Sequence, residues 1–460
     1  MSEGPLFAGP AMRRLRRREG LTQSAMADRL GISPSYLNLI ERNQRPLSAR
    51  VVVQVVDQFD FDPRALREDE AIGGLAGLAR RLADERFADL SIDRDEIAEF
   101  LAAAPQAAAA FARLYDAAGE GAASQGDPIA AARKEIERWR NHFADLDMAA
   151  EDLADDLRLS HADMGSALAE RLRERHQLAI RVLPGDVMGD AVRRLDLHAR
   201  QLQLSEMLDG PARNFQVALQ VAQLEQRDKF AALVAGARFP DDISREMFRR
   251  HLHAYFAAAL LMPYSRFLRA CDATGYDLPV LQRRFGVSFE QLAHRLTTLQ
   301  RVGQRGLPFF MARIDRAGVW SKRFVGASGA TWLESPSSCP LWIAHRAFER
   351  PGEICARAEL IDGTGAEAAH WLSIARTVDA RGLPGEARFV VVLGIEARLA
   401  GNLAQARGLS LRPEEAAPTG VSCLRCHRAD CRQRSLPPRG AQLHFDTARN
   451  GLTPFEFSSR

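Results

Sequence analysis

The sequence predicts a multi-domain fold: all-α at its N-terminal end, mainly helical through the middle and α+β toward its C-terminus. Three observations predict it. A chain of 460 residues is too long for one core and implies about three domains. Up to Leu299 apolar residues recur mostly at helical spacing, and from Phe309 onward short strand-type runs broken by turn residues take over. The composition and spacing place boundaries at 8–68, 69–127, 128–304 and 305–460, the second of these a helical connector ending in the Gly-rich linker 117–128.

The stretch from Leu21 to Pro46 reads as a tool for touching DNA. Met12 to Glu19 has the pattern of an arginine-studded helix, Thr22 caps a second helix through Leu30, and Gly31 supplies the turn. Ser33 then caps a third helix with Pro34 at its first position, where a missing N–H costs nothing. Tyr36, Leu37 and Ile40 face inward, which leaves Ser33, Ser35, Asn38 and Arg42 outward. Two helices joined by a Gly turn, the second presenting small polar groups, form a helix-turn-helix whose recognition helix enters the major groove. Gln23 is placed for a phosphate or base edge, Asn43 and Arg45 for backbone phosphates, and Tyr36 belongs to the same surface. Ser48 caps a fourth, apolar helix that ends at Phe59. Residues 11–66 hold ten Arg against six acidic residues, a net of +4 beside +3 for the whole chain, the footprint of a phosphate-binding surface. The order Leu-Thr-Gln, Leu-Gly-Ile-Ser, Ser-Tyr-Leu and Ile-Glu resembles the lambda-repressor-like helix-turn-helix family over about sixty residues.

Composition narrows the remaining classes. A hydrophobic content of 46% and a charged content of 26% are those of a globular protein, and no stretch offers the roughly 20 uncharged apolar residues of a membrane span. The start carries no apolar run followed by a cleavage site, so a cytoplasmic location is expected, where six Cys serve as thiols or metal ligands rather than disulfides.

Within 128–304, helix is expected over 131–157 and 161–178 and strand over 179–183 and 201–204. The helix from Asn214 to Gln226 and the segment from His253 to Tyr264 resemble, in order, the metallopeptidase domain of the ImmA/IrrE type. That chemistry needs two His one helical turn apart to bind zinc and a Glu to activate water. Leu219, Gln220 and Gln223 stand in those places, and His251 and His253, two residues apart, point to different faces. The resemblance therefore implies a degenerate zincin-like fold whose pocket is open to another ligand.

In 305–460, a β-hairpin is expected over 309–324, helix over 341–348 and strands over 371–378 and 389–393. Cys423, Cys426 and Cys431 form a C-x2-C-x4-C run suited to zinc or an iron–sulfur cluster, with Cys339 or Cys355 folding in and His427 adjacent.

Essentially the whole chain resembles the short-chain fatty acyl-coenzyme A regulators. The helix-turn-helix, the Phe215-Gln-Val-Ala-Leu-Gln helix, the run from Tyr255 to Tyr264, Ser321-Lys-Arg323, Cys339-Pro-Leu-Trp342 and the cysteine run carry that likeness. It implies a transcription factor of propionate and acetate metabolism, not an enzyme, whose binding to operator half-sites, as a homodimer, responds to an acyl-CoA such as propionyl-CoA. It also implies a [4Fe-4S] cluster in some members, with Cys339, Cys423, Cys426 and Cys431 as the ligand set here. Ile395 departs from the family's Gly-Cys-Glu and removes a candidate fourth ligand. An acyl-CoA needs cations for its phosphates and an apolar slot for its acyl chain. Arg193, Arg194, Arg200, Lys229, Lys322 and Arg323 are the cation candidates, and Phe256 and Tyr264 the lining. Two rival classes are an active zinc peptidase that cleaves a repressor and a transcription factor switched by redox at the cysteines.

Overall fold

The computed structural model describes residues 9–42, 44–59, 74–84, 87, 90, 92–118, 127–160, 164–335, 337–362, 368–379, 388–445, 448, 451–453 and 455–458. The chain divides into two units, Met1–Gly121 with Gly363–Ala368 and Arg434–Arg460, and Ala122–Asp362 with Ala369–Gln433.

In the first unit, local capping sets the helices α1 (Gly9–Arg18), α2 (Gln23–Arg29), α3 (Pro34–Glu41) and α4 (Ala49–Phe59). The Thr22 hydroxyl accepts from the Ala25 N–H and the Ser33 hydroxyl from the Tyr36 N–H, at 3.2 and 3.1 Å. Each such cap is worth about 1 kcal/mol. Gly31 turns between α2 and α3 at φ +60°, in the left-handed region that glycine enters at no steric cost. Met26, Leu30, Leu37 and Ile40 close against Leu15, Val51 and Val55. The connector helices α5 (Gly74–Leu82), α6 (Arg94–Ala103) and α7 (Pro105–Ala118) have a separate small core around Leu78, Ile97 and Ala112. Strands Gln442–His444 and Glu456–Ser458 pair antiparallel.

The second unit begins with α8 (Pro128–Arg138), α9 (Ala144–Ser160) and α10 (Met164–His176). The single helix expected over 131–157 is broken here. Arg140 and Asn141 sit at φ 50° and 52°, and neither Gly nor Pro marks the break. Asparagine tolerates this region better than most residues, and the break carries its side chain into the interior. Next come β1 (Ala179–Leu183), α11 (Gly185–Met188), β2 (Arg193–Asp196) and β3 (Gln201–Ser205). Their order is β1-β3-β2, with β1 parallel and β2 antiparallel to β3.

The helices α12 (Gly210–Glu225), α13 (Arg227–Ala235), α14 (Asp242–Leu261), α15 (Tyr264–Thr274), α16 (Leu278–Phe285) and α17 (Phe289–Leu296) follow, with α12, α13 and α17 packed against α14 and α16 against α15 and α17. A six-stranded sheet follows, built from β4 (Phe310–Ile314), β5 (Trp320–Phe324), β6 (Cys355–Asp362), β7 (Ala369–Asp379), β8 (Arg388–Glu396) and β9 (Ala417–Gly420) in the order β5-β4-β8-β7-β6-β9. One short helix, α18 (Ile343–Ala347), lies between β5 and β6 in the chain. Leu372, Ile374, Leu393 and Ile395 join Val221, Phe256 and Leu260 in one core, so sheet and helices fold as a single body. Phe310, Trp332, Trp342 and Trp371 form the core of the other face. Gly394 is required there, because a Cβ at 394 would lie 2.1 Å from the ring of Phe310, its partner across the strands.

Candidate functional site

The recognition helix α3 is held by a carboxylate. Glu41, 3% exposed at the end of α3, takes the Nε of Arg16 at 2.6 Å and the Nε2 of Gln23 at 2.8 Å. Arg13 donates to its carbonyl oxygen. Burial favours the neutral acid, but the bonds from Arg16 and Gln23 outweigh it and hold the carboxyl below its ordinary value. One side chain therefore ties α1, α2 and α3 together. Some of the arginine excess, Arg16 above all, serves this internal tie. The side-chain amide of Gln23 is likewise committed to Glu41, and at 3.5 Å it also reaches Asn38 Oδ1. Ser33, Ser35, Arg42 and Arg45 are exposed, Asn38 is half-buried, and Tyr36 packs its ring against the core. Asn43 lies outside the described residues.

In the second unit the helix that resembles the peptidase motif in sequence is α12. Gln223 on α12 accepts from Arg193 Nη2 on β2 at 3.1 Å, and its Nε2 meets His253 Nδ1 on α14 at 3.3 Å. Because guanidinium only donates, Arg193 fixes the orientation of the Gln223 amide; that amide then donates to Nδ1, leaving the His253 proton on Nε2. Burial pushes His253 down to about 4, with Glu246 opposing and Arg249 and Arg193 adding to the fall. The lone pairs a metal would need are thus occupied, and a cation faces the group. His251, two residues earlier, looks elsewhere. Its Nε2 lies 2.9 Å from Oδ1 of Asn141, whose Nδ2 reaches Thr297 Oγ1 at 2.8 Å and His294 Nε2 at 3.1 Å.

A cavity of about 990 Å³ opens among α9, α10, α12 and α13. Its apolar wall includes Leu153, Leu224 and Leu233, with Trp139 and Met148 also lining it. Arg171 and His176 are spent on Glu225, at 2.7 and 2.9 Å. Lys229 and Arg175 carry no ion pair among the described residues. Asp145, Asp152 and Asp156 line it from α9.

The expected ligand-binding residues do not gather in one place. Lys229 lines this cavity and Arg193 belongs to the Gln223 group. Arg194 is exposed, with its Nε on Gln203, and Arg200 is exposed in the β2–β3 turn at φ 52°. Phe256 is fully buried in the core and does not line this cavity, a correction that follows from its helical spacing on α14. Tyr264 is fully buried too, its hydroxyl donating to the Gln304 carbonyl at 2.8 Å. Lys322 pairs with Glu290 at 2.6 Å, and Arg323 donates to the carbonyls of Leu333 and Ser335. These four side chains serve the fold. Trp139 and Arg175, which the sequence did not single out, carry no motif that would have marked them.

The cysteines partly converge. Cys426 and Cys339 are both buried beside Gly420, where an added Cβ would stand 2.8 and 3.7 Å from their sulfurs. The Gly420 N–H also donates to Cys339 Sγ at 3.3 Å. Burial raises the Cys339 thiol, with the charges of Cys426 and Cys423 adding to it. Cys423 and Cys431 are only half-buried. Among the described residues no three His, Cys, Asp or Glu groups gather at metal-ligand spacing. Ile395 lies in the helix-facing core of β8, with β7 and β6 between it and β9, so it takes no ligand away from this group.

Three family models match successive parts of the chain: a helix-turn-helix domain over 9–69, an IrrE N-terminal-like domain over 173–297 and the short-chain fatty acyl coenzyme A regulator C-terminal domain over 298–455. The HTH-type transcriptional regulator RamB of Mycobacterium tuberculosis is 35% identical over 98% of both chains. The propionyl-CoA carboxylase regulator of Cereibacter sphaeroides is 36% identical over 98% of both, and the HTH-type transcriptional regulator PrpR of Mycobacterium tuberculosis 33% identical over 98% of this chain and 95% of its own. A solved structure titled Mycobacterium tuberculosis transcriptional regulator superposes with a TM-score of 0.66 at 33% identity, covering 72% of this chain and 99% of that one. Full-length likeness of this kind, together with the match to the family's C-terminal domain, places the chain in the short-chain fatty acyl-coenzyme A regulator family.

Proposed function

We propose that this chain is a cytoplasmic transcriptional regulator of short-chain acyl-CoA metabolism, acting on propionate or acetate genes as a homodimer on paired half-sites. A short-chain acyl-CoA such as propionyl-CoA shifts its affinity for DNA. The observation that carries the reading is one chain holding both a capped helix-turn-helix and a cavity of ligand size. The names of the full-length relatives support it. Ser33, Ser35, Asn38, Arg42 and Arg45 are the DNA-facing residues, with Gln23 positioned by Glu41. In the cavity, Lys229 and Arg175 are the free cations for the phosphates on the α10 and α13 side. Trp139 offers a ring for the adenine, and the leucines take the acyl chain. No peptidase activity is expected, because Gln223 and Leu219 replace metal ligands and Arg193 brings a positive charge to the same place. No helix among the described residues is long and apolar enough to cross a membrane.

The test is titration of the protein onto DNA from its own upstream region, with and without acyl-CoAs of two to six carbons. Charge reversal at Lys229 and Arg175 should abolish the acyl-CoA effect while leaving DNA binding intact. A variant that responds like the parent would overturn the cavity assignment. Asn38→Ala should lower operator affinity by about tenfold, as loss of a polar base contact does, and light scattering should return a dimer.

A further inference from the structure

Arg193, like Arg213 and Arg376, has no carboxylate partner among the described residues, unlike most inward-facing arginines of its unit. Arg171, Arg295, Arg301 and Arg313 each meet a carboxylate. Arg193 meets only the neutral oxygen of Gln223, and its Nη1 is buried with no hydrogen-bond partner among the described residues. Burial of a cation without a counter-charge is costly, and burial acts to lower the pKa of this guanidinium. The surroundings are apolar as well as polar. The Phe230 ring stands edge-on to His253 with centroids 4.5 Å apart, and Leu219 lies one helical turn before Gln223.

We infer that Arg193, Gln223 and His253 form a binding site for a small aliphatic carboxylate, separate from the large cavity and in the place where the resembling peptidases hold their metal. The carboxylate would take the free Nη1 hydrogens of Arg193 and supply the missing negative charge. The Nε2–H of His253 is the second available donor. A single uncompensated positive charge suits a monoanion; orthophosphate is a mixture of monoanion and dianion at neutral pH, and its dianion would bury a second charge with nothing to balance it. Phe230 and Leu219 favour a short alkyl stem over a bare ion. The neighbouring charges that act on His253 are Glu246 and Arg249 on its own helix and Arg193 from β2.

Thermal unfolding and calorimetry of the full chain in propionate, orthophosphate and chloride at matched ionic strength test this. Propionate should stabilise the protein in a saturable way that chloride and phosphate do not reproduce. Arg193→Met should weaken propionate binding by about tenfold or more, as loss of a charge-assisted hydrogen bond does, and Arg193→Lys by less. In protein labelled with ¹⁵N at histidine, propionate should raise the His253 pKa, a change a merely structural arginine would not produce. Equal responses to all three anions, no response, or a propionate response that survives in Arg193→Met would overturn the proposal. The acyl-CoA titration on Arg193→Met keeps the two sites apart, since its response should match the parent.

Discussion

His251 and His253 stand two residues apart on one helix and look into two polar sites of opposite character. Around His251 the donors and acceptors are largely matched: Asn141 bridges His251, His294 and Thr297. In the adjoining group, the fully buried Arg295 meets Asp147 at 2.7 Å while Tyr255 donates to the other oxygen of the same carboxylate at 2.6 Å. Around His253 the set is short by one negative charge. A buried guanidinium with its carboxylate is part of the scaffold, whereas one lacking it has a physical reason to attract a ligand. Burial by itself does not separate the two; the count of partners does.

The comparison breaks first at Asp147. Asp147→Ala leaves Arg295 buried without its counter-charge and should cost about 3–5 kcal/mol in denaturant unfolding. Asp147→Leu with Arg295→Met should recover most of that loss. Asn141→Ala should cost about 3 kcal/mol, because it strands His251, His294 and Thr297 and puts alanine at a positive φ. Arg193→Met, by contrast, should change stability by less than about 1 kcal/mol in ligand-free buffer, since it removes a charge that has no partner. A loss as large as that at Asp147 would mean that Arg193 is scaffold after all.

Two pH effects of opposite sign sharpen the contrast. Burial, with Lys322 and Arg295 adding to it, pushes His294 down to about 3, and burial also takes His251 well below its ordinary 6.5. The unfolded chain therefore binds protons that the folded chain refuses, and stability should fall as pH drops below 6.5. Glu137 runs the other way. Burial lifts its carboxyl to about 7, against the N–H groups of Val325 and Gly326 that donate to it at 2.7 and 3.0 Å. Here the folded state keeps a proton that the unfolded chain has lost. Its contribution is complete below about 4.5 and fades as pH rises to 7. Unfolding midpoints of the parent and Glu137→Gln, measured from pH 4.5 to 7, should converge or cross in that direction; a pH-independent difference would remove Glu137 from the account.

Legibility in the sequence followed the range of the interaction. Thr22, Gly31, Ser33 and Pro34 act within one turn, so the helix-turn-helix could be read residue by residue. The strands β1, β3, β4, β5, β7 and β8 were legible from their pattern. Two strands of the large sheet were not. In β6, Arg357 and Glu359 take inward places and hide the alternation, the Glu359 carboxylate being fully buried with Arg357 and the Ile343 N–H on one oxygen. In β9, Pro418 and Gly420 read as a turn, although an edge strand tolerates proline. The break at Arg140 and Asn141 had no local mark because its cause is the distant partners of Asn141.

By itself, then, the sequence determined the DNA-reading module, the absence of the peptidase's histidines and the order of the domains, all of which rest on neighbours in the chain. Only the tertiary structure decided that Phe256, Tyr264, Lys322 and Arg323 serve the fold, that Cys339 and Cys426 meet beside Gly420 rather than around position 395, and that Arg193 is left without a carboxylate. Those outcomes depend on which side chains from far-apart segments complete or fail to complete one another's charges and hydrogen bonds, and spacing along the chain carries no record of that.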